Sequence, residues 1–446
     1  MILPAPRLLL AFGVVVVPFA FLAGVSPEAA WVSVAAIALF AAVSVVDALA
    51  GRNALRALRC DLPAVARLPR GRMGSVPVQF TKEVAGAMTL RVGLPLPATF
   101  QAEQPIQVIS LPREPGRFGA AWVCRALERG AYQIPELALE ALSPLGLWAR
   151  RERRSVACEV RVYPNLSAEK KHAPSLFLRQ EGLGVRRSRR AGKGRDFEKL
   201  RDYVAGDSFD EIHWKATAKR GKPVTKVFQV ERTQEVYVVV DASRLSARAL
   251  PSLAAGVSET SVERFVNAAL LLALAAERQG DRYGVISFSD GVEAFVPARS
   301  GKAHFAACRE ALYDLKARLV PPDFDELVSF LRRRSRKRAL LVFLTSLDDP
   351  MIAESFLRSM QLIRRQHLVL VNIIRPAGAA QLFSAPPPER FDEIYERLGG
   401  HARWHTLRQL DLSLSRQGIR LAVLESEALC SEIVSRYVDV RERQLL

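Results

Sequence analysis

The sequence is poor in the residues that carry most metal-binding and nucleophilic chemistry. Its 446 residues include only 5 cysteines and 6 histidines, and no two cysteines have the close spacing of a zinc knuckle or a redox motif. We therefore expect isolated, buried thiols in a reducing compartment, with a disulfide as the alternative. The histidines show no metal-ligand spacing, and no glycine-rich loop has the spacing that cradles phosphate. These absences argue against the common zinc, redox and nucleotide-binding classes.

Two long apolar runs without charged residues begin the chain. They cover residues 8–25 and 29–46, and each approaches the roughly 20 residues that a helix needs to cross the hydrocarbon core. The short link between them predicts a transmembrane hairpin over residues 7–50, and Asp47 is expected to reach the lipid headgroups. Arginines flank the hairpin on both outer ends, which predicts that these ends are cytoplasmic. A signal peptide cleaved near Ala23 is the alternative interpretation.

Positive charge is in excess, since the formal net charge is +18. The first explanation is topological, because basic residues beside membrane spans set their orientation. Anionic lipid, nucleic acid or an acidic protein partner are the alternatives. The densest basic run, 332–338, ends a predicted helix, where cations are favoured. We interpret it first as a solvated helix end and second as a contact for anionic lipid.

Short apolar runs separated by proline and glycine predict a β-sandwich over residues 60–165. Period-two alternation is clearest at Cys158, Val160 and Val162. The length would fit about six or seven strands of the immunoglobulin-like kind. Residues 166–195 read as a polar, basic linker or surface loop, and we assign 166–234 to this linker and a charged signature segment.

From residue 235 onwards, strand-like apolar runs alternate with helical patterns. This rhythm predicts an α/β domain over residues 235–446, with a doubly wound parallel sheet covered by helices on both faces. Ligands of such sheets bind beyond the carboxyl ends of the strands. The predicted strands are 236–240, 283–288, 339–344, 368–374 and 419–424, and the predicted helices are 262–278, 302–315, 324–333, 352–365, 407–416 and 427–437.

Two oxygen-rich loops follow strands of this predicted sheet. Asp241 and Ser243 lie two residues apart after the first strand, and Asp348 follows a later one. Carboxylate and hydroxyl oxygens at this spacing can point at one hard cation, so Mg²⁺ or Ca²⁺ is the predicted occupant. The alternative is that Asp241 and Ser243 only cap their own loop.

These loops resemble the metal-ion-dependent adhesion site of von Willebrand factor A-type domains. That family uses Asp-x-Ser-x-Ser, a threonine from another loop and a later aspartate. Asp241 and Ser243 match the first two positions, whereas Leu245 stands at the third and cannot ligate a metal. Thr260 is a candidate for the threonine and Asp348 for the late aspartate. The resemblance therefore implies a degenerate site with weak or absent metal binding.

A charged segment just before residue 235 forms the most specific pattern in the chain. It contains Leu-Arg-Asp-Tyr, then Gly-Asp, then Ile-x-Trp-Lys within residues 200–215. This pattern resembles the signature of a bacterial membrane-anchored family, number fifty-eight of the domains of unknown function, in which a similar segment precedes an A-type domain. By helical spacing we expect a helix from about Phe209, capped by Asp207 or Ser208. The residues that match the signature, and that form a candidate docking face, are Arg201, Asp202, Tyr203, Gly206, Asp207, Trp214 and Lys215.

The sequence favours a membrane-tethered, non-enzymatic scaffold that binds another protein through the A-type loops. The resemblance implies a bacterial inner-membrane protein with its soluble part in the cytoplasm and a MoxR-type AAA+ ATPase as partner. A hydrolase with an unrecognised site, for example around Asp207 and His213, is one alternative. A protein that binds anionic lipid or nucleic acid through arginine is the other.

Overall fold

The computed structural model describes residues 1–25, 30–53, 55–56, 58–83, 88–167, 191–204, 208–229, 234–250, 259–384, 386–388 and 390–443. These residues form two compact units, one of Met1–Asn165 and one of Leu166–Leu253 together with Ser258–Leu446. The predicted link of the hairpin and most of the basic 166–195 segment lie outside the described residues.

Two apolar N-terminal helical segments are long enough to cross a membrane. The first spans Pro6–Val25 and the second Ala30–Gly51, and almost none of their surface is buried within the protein. The first consists of α1 (Pro6–Ala11), a π-helical turn (Phe12–Val16) and α2 (Val17–Val25), and the second is α3. The π turn ends two residues before Pro18, which has no amide hydrogen to donate to the preceding turn. Apolar surface of this extent fits association with a membrane.

The first unit also contains two β-sheets, whose strands follow the helices in the chain except for β1, which precedes them. Their strands are β1 (Ile2–Pro4), β2 (Leu58–Asp61), β3 (Val65–Pro69), β4 (Met73–Lys82), β5 (Met88–Gly93), β6 (Phe100–Ala102), β7 (Ile106–Leu111), β8 (Gly116–Ala126), β9 (Gly130–Leu142) and β10 (Trp148–Tyr163). One sheet has the order β1-β10-β9-β5-β7 with β3 also paired to β10, and the other has the order β2-β4-β8-β6. A single hydrophobic core, with Trp122 and Phe80 fully buried, contains residues of both sheets.

The predicted alternation at Cys158, Val160 and Val162 is confirmed, because all three side chains are fully buried. The predicted strand number is wrong: among the described residues of the predicted region there are nine strands, β2 to β10, not six or seven, and β1 joins them from the N-terminus. Two of the unforeseen elements lie next to arginine-rich or membrane-flanking sequence, which masked their β character. One is β1, before the first apolar helix, and the other is the first half of β10, which reads Trp-Ala-Arg-Arg-Glu-Arg-Arg.

Asp47 joins the end of α3 to the loop that precedes β10. Its carboxylate is 2% exposed and accepts hydrogen bonds from the Ser143 hydroxyl at 2.5 Å, the Leu145 amide at 2.9 Å and the Leu147 amide at 3.2 Å. The expectation that Asp47 reaches the lipid headgroups is therefore wrong, because protein donors surround this carboxylate.

Two further contacts attach the same helix pair to the sandwich. The indole nitrogen of Trp148 donates to the Ser44 carbonyl at 2.9 Å and to its hydroxyl at 3.1 Å. At the other end of the hairpin, β1 pairs with β10 in antiparallel register. Both outer ends of the hairpin are thus attached to β10 or to the loop before it, so they lie on the same side of the apolar helices.

The second unit is built around a six-stranded sheet. The strands of the whole unit are β11 (Ala191–Asp202), β12 (Val224–Gln229), β13 (Glu235–Asp241), β14 (Ala249–Leu250), β15 (Glu259–Thr260), β16 (Arg282–Phe288), β17 (Val292–Arg299), β18 (Leu340–Leu344), β19 (Leu368–Ile374) and β20 (Arg420–Leu424). The large sheet has the order β17-β16-β13-β18-β19-β20. Only β17 is antiparallel to its neighbour, through a connection too short for a crossover helix.

Helices cover both faces of this sheet. The helices of the second unit are α4 (Trp214–Arg220), α5 (Ser261–Gln279), α6 (Lys302–Leu312), α7 (Phe324–Arg334), α8 (Pro350–Ile363), α9 (Phe391–Arg416) and α10 (Leu429–Glu442). Of these, α4 lies against β12, which belongs to a separate two-stranded sheet. Alternate residues of β13 enter two separate cores: Val238 packs with residues of α5 and α10, and Val239 with residues of α7, α8 and α9. The uniformly apolar sequence of β13 reflects this burial on both sides.

Three expectations for this unit need correction. The predicted linker ends in β11, which pairs with β12. The strand β17 was not predicted, since its sequence is only half-buried. The helix expected at 407–416 begins at Phe391 instead, because Gly399 and Gly400, which are poor helix formers, interrupt its sequence pattern without ending the helix.

We expect Gly400→Ala to destabilise the second unit by about 1 to 3 kcal/mol, as overpacking does. A Cβ at this position would lie 2.0 Å from the carbonyl oxygen of Gly378, and backbone cannot move aside as a side chain can. Gly399→Ala is the matched control, since its Cβ would meet only an arginine nitrogen at 3.9 Å. This substitution should stabilise the helix by up to about 1 kcal/mol, because alanine favours helix more than glycine does. Chemical unfolding of both variants measures the difference, and equal effects would contradict the steric explanation.

Candidate functional site

Asp241 ends β13 at the carboxyl edge of the large sheet and is completely buried. One carboxylate oxygen accepts from the Thr345 hydroxyl at 2.5 Å, and the other accepts from the Ser243 amide at 2.8 Å. Thr345 directly follows β18, the neighbour of β13 in the sheet. Two adjacent parallel strands therefore bring these residues together, as their order in the sheet requires.

Burial raises the pKa of Asp241, because a low-dielectric interior disfavours the carboxylate. Hydrogen bonds from the Thr345 hydroxyl and from the amides of Ser243 and Ser346 oppose this effect, as does the Ser243 hydroxyl, which lies close to the carboxyl without a well-aligned hydrogen bond. The backbone carbonyl of Asp241 in turn accepts from the Ser246 hydroxyl at 2.6 Å. The aspartate thus fixes the conformation of its own loop, which agrees with the capping alternative.

Asp348 lies in the loop after β18, but its nearest charged partner is a residue that the sequence analysis missed. One of its carboxylate oxygens forms an ion pair with the guanidinium of Arg248. The next residue, Asp349, caps α8 by accepting from the Met351 amide at 3.0 Å and lies 3.8 Å from Arg244. The late aspartate of the predicted site is therefore already neutralised by an arginine of the same chain.

Two buried oxygens in these loops are left without a hydrogen-bond partner among the described residues. They are the hydroxyl oxygen of Ser243 and the second carboxylate oxygen of Asp348. Such unpaired buried atoms are the kind of ligand that a hard cation would use. While Arg248 pairs with Asp348, the remaining oxygens are too few for a divalent ion: both oxygens of Asp241 already accept from chain donors, and Leu245 offers no oxygen. In the described part of the chain, no three His, Cys, Asp or Glu side chains form a metal-binding group.

The threonine of the predicted site could not be assigned from the sequence. Thr260 lies in the two-residue strand β15, paired with Ala249, and precedes the first turn of α5. Thr345 is the hydroxyl that contacts Asp241. Its position directly after a buried apolar strand was the signal that could have identified it, since Asp241 follows the neighbouring strand in the same way.

The family signature forms a surface region around β11, β12 and α4. Arg201 and Asp202 end β11, and Tyr203 stacks on Phe209 with ring centroids 6.2 Å apart. Trp214 and Lys215 begin α4, where both are exposed, the indole by 68%. Gly206 and Asp207 lie outside the described residues. The exposed members are thus available to a partner, while Ile212 is buried beside β12.

The helix in this segment starts later than expected. Residues Phe209–Glu211 form one turn of 3₁₀ helix, and α4 begins at Trp214. Its cap is His213, whose ring nitrogen Nδ1 accepts from the Ala216 amide at 3.0 Å. This hydrogen bond occupies the atom that would have to accept a proton, which weakens the hydrolase alternative at this histidine.

The basic run 332–338 lies at the end of α7 and in the turn that follows. The Arg333 guanidinium is 3.2 Å from the carboxylate of Glu326, which lies seven residues earlier in the same helix. The Arg334 guanidinium lies 5.8 Å from the centre of the Phe295 ring. These contacts agree with a helix end stabilised by cations, the first interpretation of this run.

Comparison with protein families gives one match, to the model described as "Protein of unknown function DUF58", over residues 199–381. The predicted family resemblance is confirmed. The DUF58 match begins inside the charged signature and extends through the loops of Asp241 and Asp348. It does not include the apolar helices or the sandwich, so the broader similarity expected for most of the chain rests on short motifs there. A comparison with curated proteins finds no match.

Among solved structures, the chain is similar to the SpRpn10 VWA domain, with 10% identity, a TM-score of 0.27, and coverage of 46% of this chain and 95% of the other. It is also similar to an aerotolerance-related membrane protein from Bacteroides fragilis, with 13% identity, a TM-score of 0.29, and coverage of 46% and 98%. A C. elegans MSP family member, WR4, gives 8% identity, a TM-score of 0.17, and coverage of 24% and 97%. With scores this low, the fold is better described by its own strand order.

Proposed function

We propose that this DUF58-containing protein is a membrane-tethered, non-enzymatic adaptor that binds another protein through the loops at the carboxyl edge of the large sheet. The observation that carries the proposal is the set of half-exposed arginines on these loops. Arg244, Arg248 and Arg318 have side-chain exposures of 52%, 45% and 53%, and each lies beside a carboxylate of the same chain. Such a surface can exchange internal ion pairs for contacts with the charged side chains of a partner.

The non-enzymatic part of the proposal is supported by the state of the candidate nucleophiles and bases. Burial raises the pKa of the Cys60 thiol to about 11 and that of Cys308 to about 12, so neither forms the reactive thiolate at neutral pH. His213 caps a helix, and Asp241 is sealed in the interior. All five cysteines are free, in keeping with a reducing compartment.

We assign the protein to the bacterial inner membrane with both soluble units in the cytoplasm. Both outer ends of the apolar helix pair are attached at β10 or at the loop before it, and arginines such as Arg7, Arg52 and Arg56 flank the pair, which favours a cytoplasmic location. For the sandwich we propose an immunoglobulin-like arrangement, supported by two mainly antiparallel sheets around one core. The von Willebrand factor A-like, doubly wound description of the second unit is supported by its strand order and its two helical layers.

The partner that the family resemblance suggests is a MoxR-type AAA+ ATPase. We expect the full-length protein in nanodiscs to bind such an ATPase from the same organism. The double variant Arg244→Glu with Arg318→Glu should weaken binding about tenfold or more, as reversal of interface charges does. The matched control is Arg332→Glu with Arg333→Glu, at the end of α7. Surface plasmon resonance measures both, and an equal loss in the control, or no binding by the wild type, would contradict the proposal.

A further inference from the structure

In the predicted adhesion-type site, the positive charge beside Asp348 is the guanidinium of Arg248. In a metal-dependent site, a divalent ion would neutralise Asp348 and would present positive charge to a ligand. Here Arg248 pairs with one oxygen of Asp348, whose side chain is only 13% exposed. The other oxygen is buried without a partner among the described residues, and the Ser243 hydroxyl, in the loop of Asp241, is buried without a well-aligned hydrogen bond. Part of a metal-ligand set is therefore present, and the charge that completes it comes from an arginine.

The backbone holds Arg248 in this position from two sides. It follows the short 3₁₀ turn Arg244–Ala247, which leads directly out of the Asp241 loop. Its carbonyl accepts from the Ser261 amide at 3.0 Å, at the first residue of α5. The main chain is thus attached both to the loop of Asp241 and to a buried helix, so the guanidinium is directed to Asp348 by rigid elements.

The guanidinium also keeps binding capacity for a second anion. A guanidinium has five N–H donors, and the hydrogen bond to Asp348 uses one of its nitrogens. The side chain is 45% exposed, so solvent or a ligand can reach part of it.

From this geometry we infer that Arg248 replaces the divalent metal ion of the site, and that it binds a carboxylate of the partner directly. The carboxylate part rests on the proposed function, since it presumes that these loops bind a protein. The metal part concerns this chain alone. Two separate measurements therefore distinguish a failure of the inference from a failure of the proposed function.

The first measurement is the unfolding temperature of the full-length protein in detergent, with magnesium chloride or with chelator at matched ionic strength. The wild type should give the same midpoint in both conditions. Arg248→Gln should lower the midpoint by about 2 to 4 °C in chelator, a shift of the size that one lost interaction gives in a domain of this length. Magnesium should restore it, since Asp348 and Ser243 are then free to ligate. Arg244→Gln is the matched control and should not respond to magnesium.

Two outcomes of this measurement would overturn the metal part. The first is a wild type that magnesium stabilises, because the site would then bind the ion with Arg248 in place. The second is an Arg248→Gln variant that responds to magnesium no more than the control does. Neither outcome depends on whether a partner protein has been found.

The second measurement uses hexaglutamate as a probe for carboxylates, with hexaglutamine as the uncharged reference and fluorescence anisotropy as the readout. Hexaglutamate should bind the wild type equally well with chelator and with magnesium. Arg248→Gln should weaken its binding about tenfold, the scale of one charge-assisted hydrogen-bonded contact, and Arg244→Gln should weaken it less. Absence of binding, a requirement for magnesium, or equal losses in the two variants would overturn the carboxylate part.

Discussion

We expect Asp47→Ala to lower the free energy of unfolding of the first unit by about 3 to 5 kcal/mol, the range found when one side of a buried charged network is removed. The substitution leaves the Ser143 hydroxyl and the amides of Leu145 and Leu147 without their acceptor. It also creates a void in a region that excludes water, since Asp47 is 2% exposed. The contact between α3 and the loop before β10 should therefore loosen.

Hydrogen exchange of the full-length protein in detergent measures this effect locally. The peptide that contains residues 143–148 should exchange faster in Asp47→Ala, and the fluorescence of Trp148 should change because its indole bonds to Ser44 in the same helix. Asp47→Asn should show a smaller effect, since it keeps one acceptor oxygen. Asp61→Ala removes an exposed carboxylate from β2 and is the control. Unchanged exchange in Asp47→Ala would contradict a structural role for this carboxylate.

The Asp47 network has a consequence for the tether. A flexible linker would leave the orientation of the sandwich unrelated to the membrane. Here β1 joins the sheet at one end of the helix pair, and Asp47 and Trp148 attach the other end. The sandwich is thus attached to the helices at two points, so that displacement of one moves the other. This double attachment couples the orientation of the two sheets to that of the apolar helices.

The parts of the fold that were predicted correctly are those with a local signal. The strand ending in Asp241 and the strand before Thr345 are continuous apolar runs, because the sheet is buried on both faces. The two N-terminal helices were predicted correctly because they too are continuous apolar runs. Gly400 shows the opposite case: local propensity disfavours helix there, but the close approach of Gly378 selects the smallest residue within a helix. Tertiary contact, not propensity, decides that position.

The candidate site could be predicted only in part. Asp241, Ser243 and Asp348 follow strands in the sequence, so their location at one edge of the sheet was accessible. Arg248 was not, because its pairing with Asp348 joins residues 100 positions apart through a loop with no regular pattern. The same holds for the bond between Thr345 and Asp241. Side-chain partners across loops depend on the register of neighbouring strands, which a single sequence does not specify.

Asp241→Ala should destabilise the second unit by about 3 to 5 kcal/mol, since it leaves the buried Thr345 hydroxyl and Ser243 amide without their acceptors. Hydrogen exchange of the peptide that contains residues 236–240 measures this effect. Asp392→Ala, which removes a carboxylate that is 81% exposed, is the control. Equal protection of β13 in the two variants would contradict the structural role of Asp241.

Asp241→Asn separates the effect of charge from the effect of packing. Burial raises the pKa of Asp241 above its ordinary value of 3.8, so the folded state keeps a proton that the unfolded state has released. The favourable contribution of this carboxyl is then fully present below pH 3.8 and is lost as the pH rises through the raised pKa.

In that pH window the protection of residues 236–240 in the wild type, relative to Asp241→Asn, should fall with a slope of up to about 1.4 kcal/mol per pH unit. The exchange rates must be corrected for the intrinsic effect of pH. Asp392→Asn, which replaces a carboxylate that is 81% exposed, is the control for the loss of a carboxylate elsewhere in the unit. A wild type whose protection rises with pH relative to Asp241→Asn would show that hydrogen bonds outweigh burial and that the carboxylate is the favoured form.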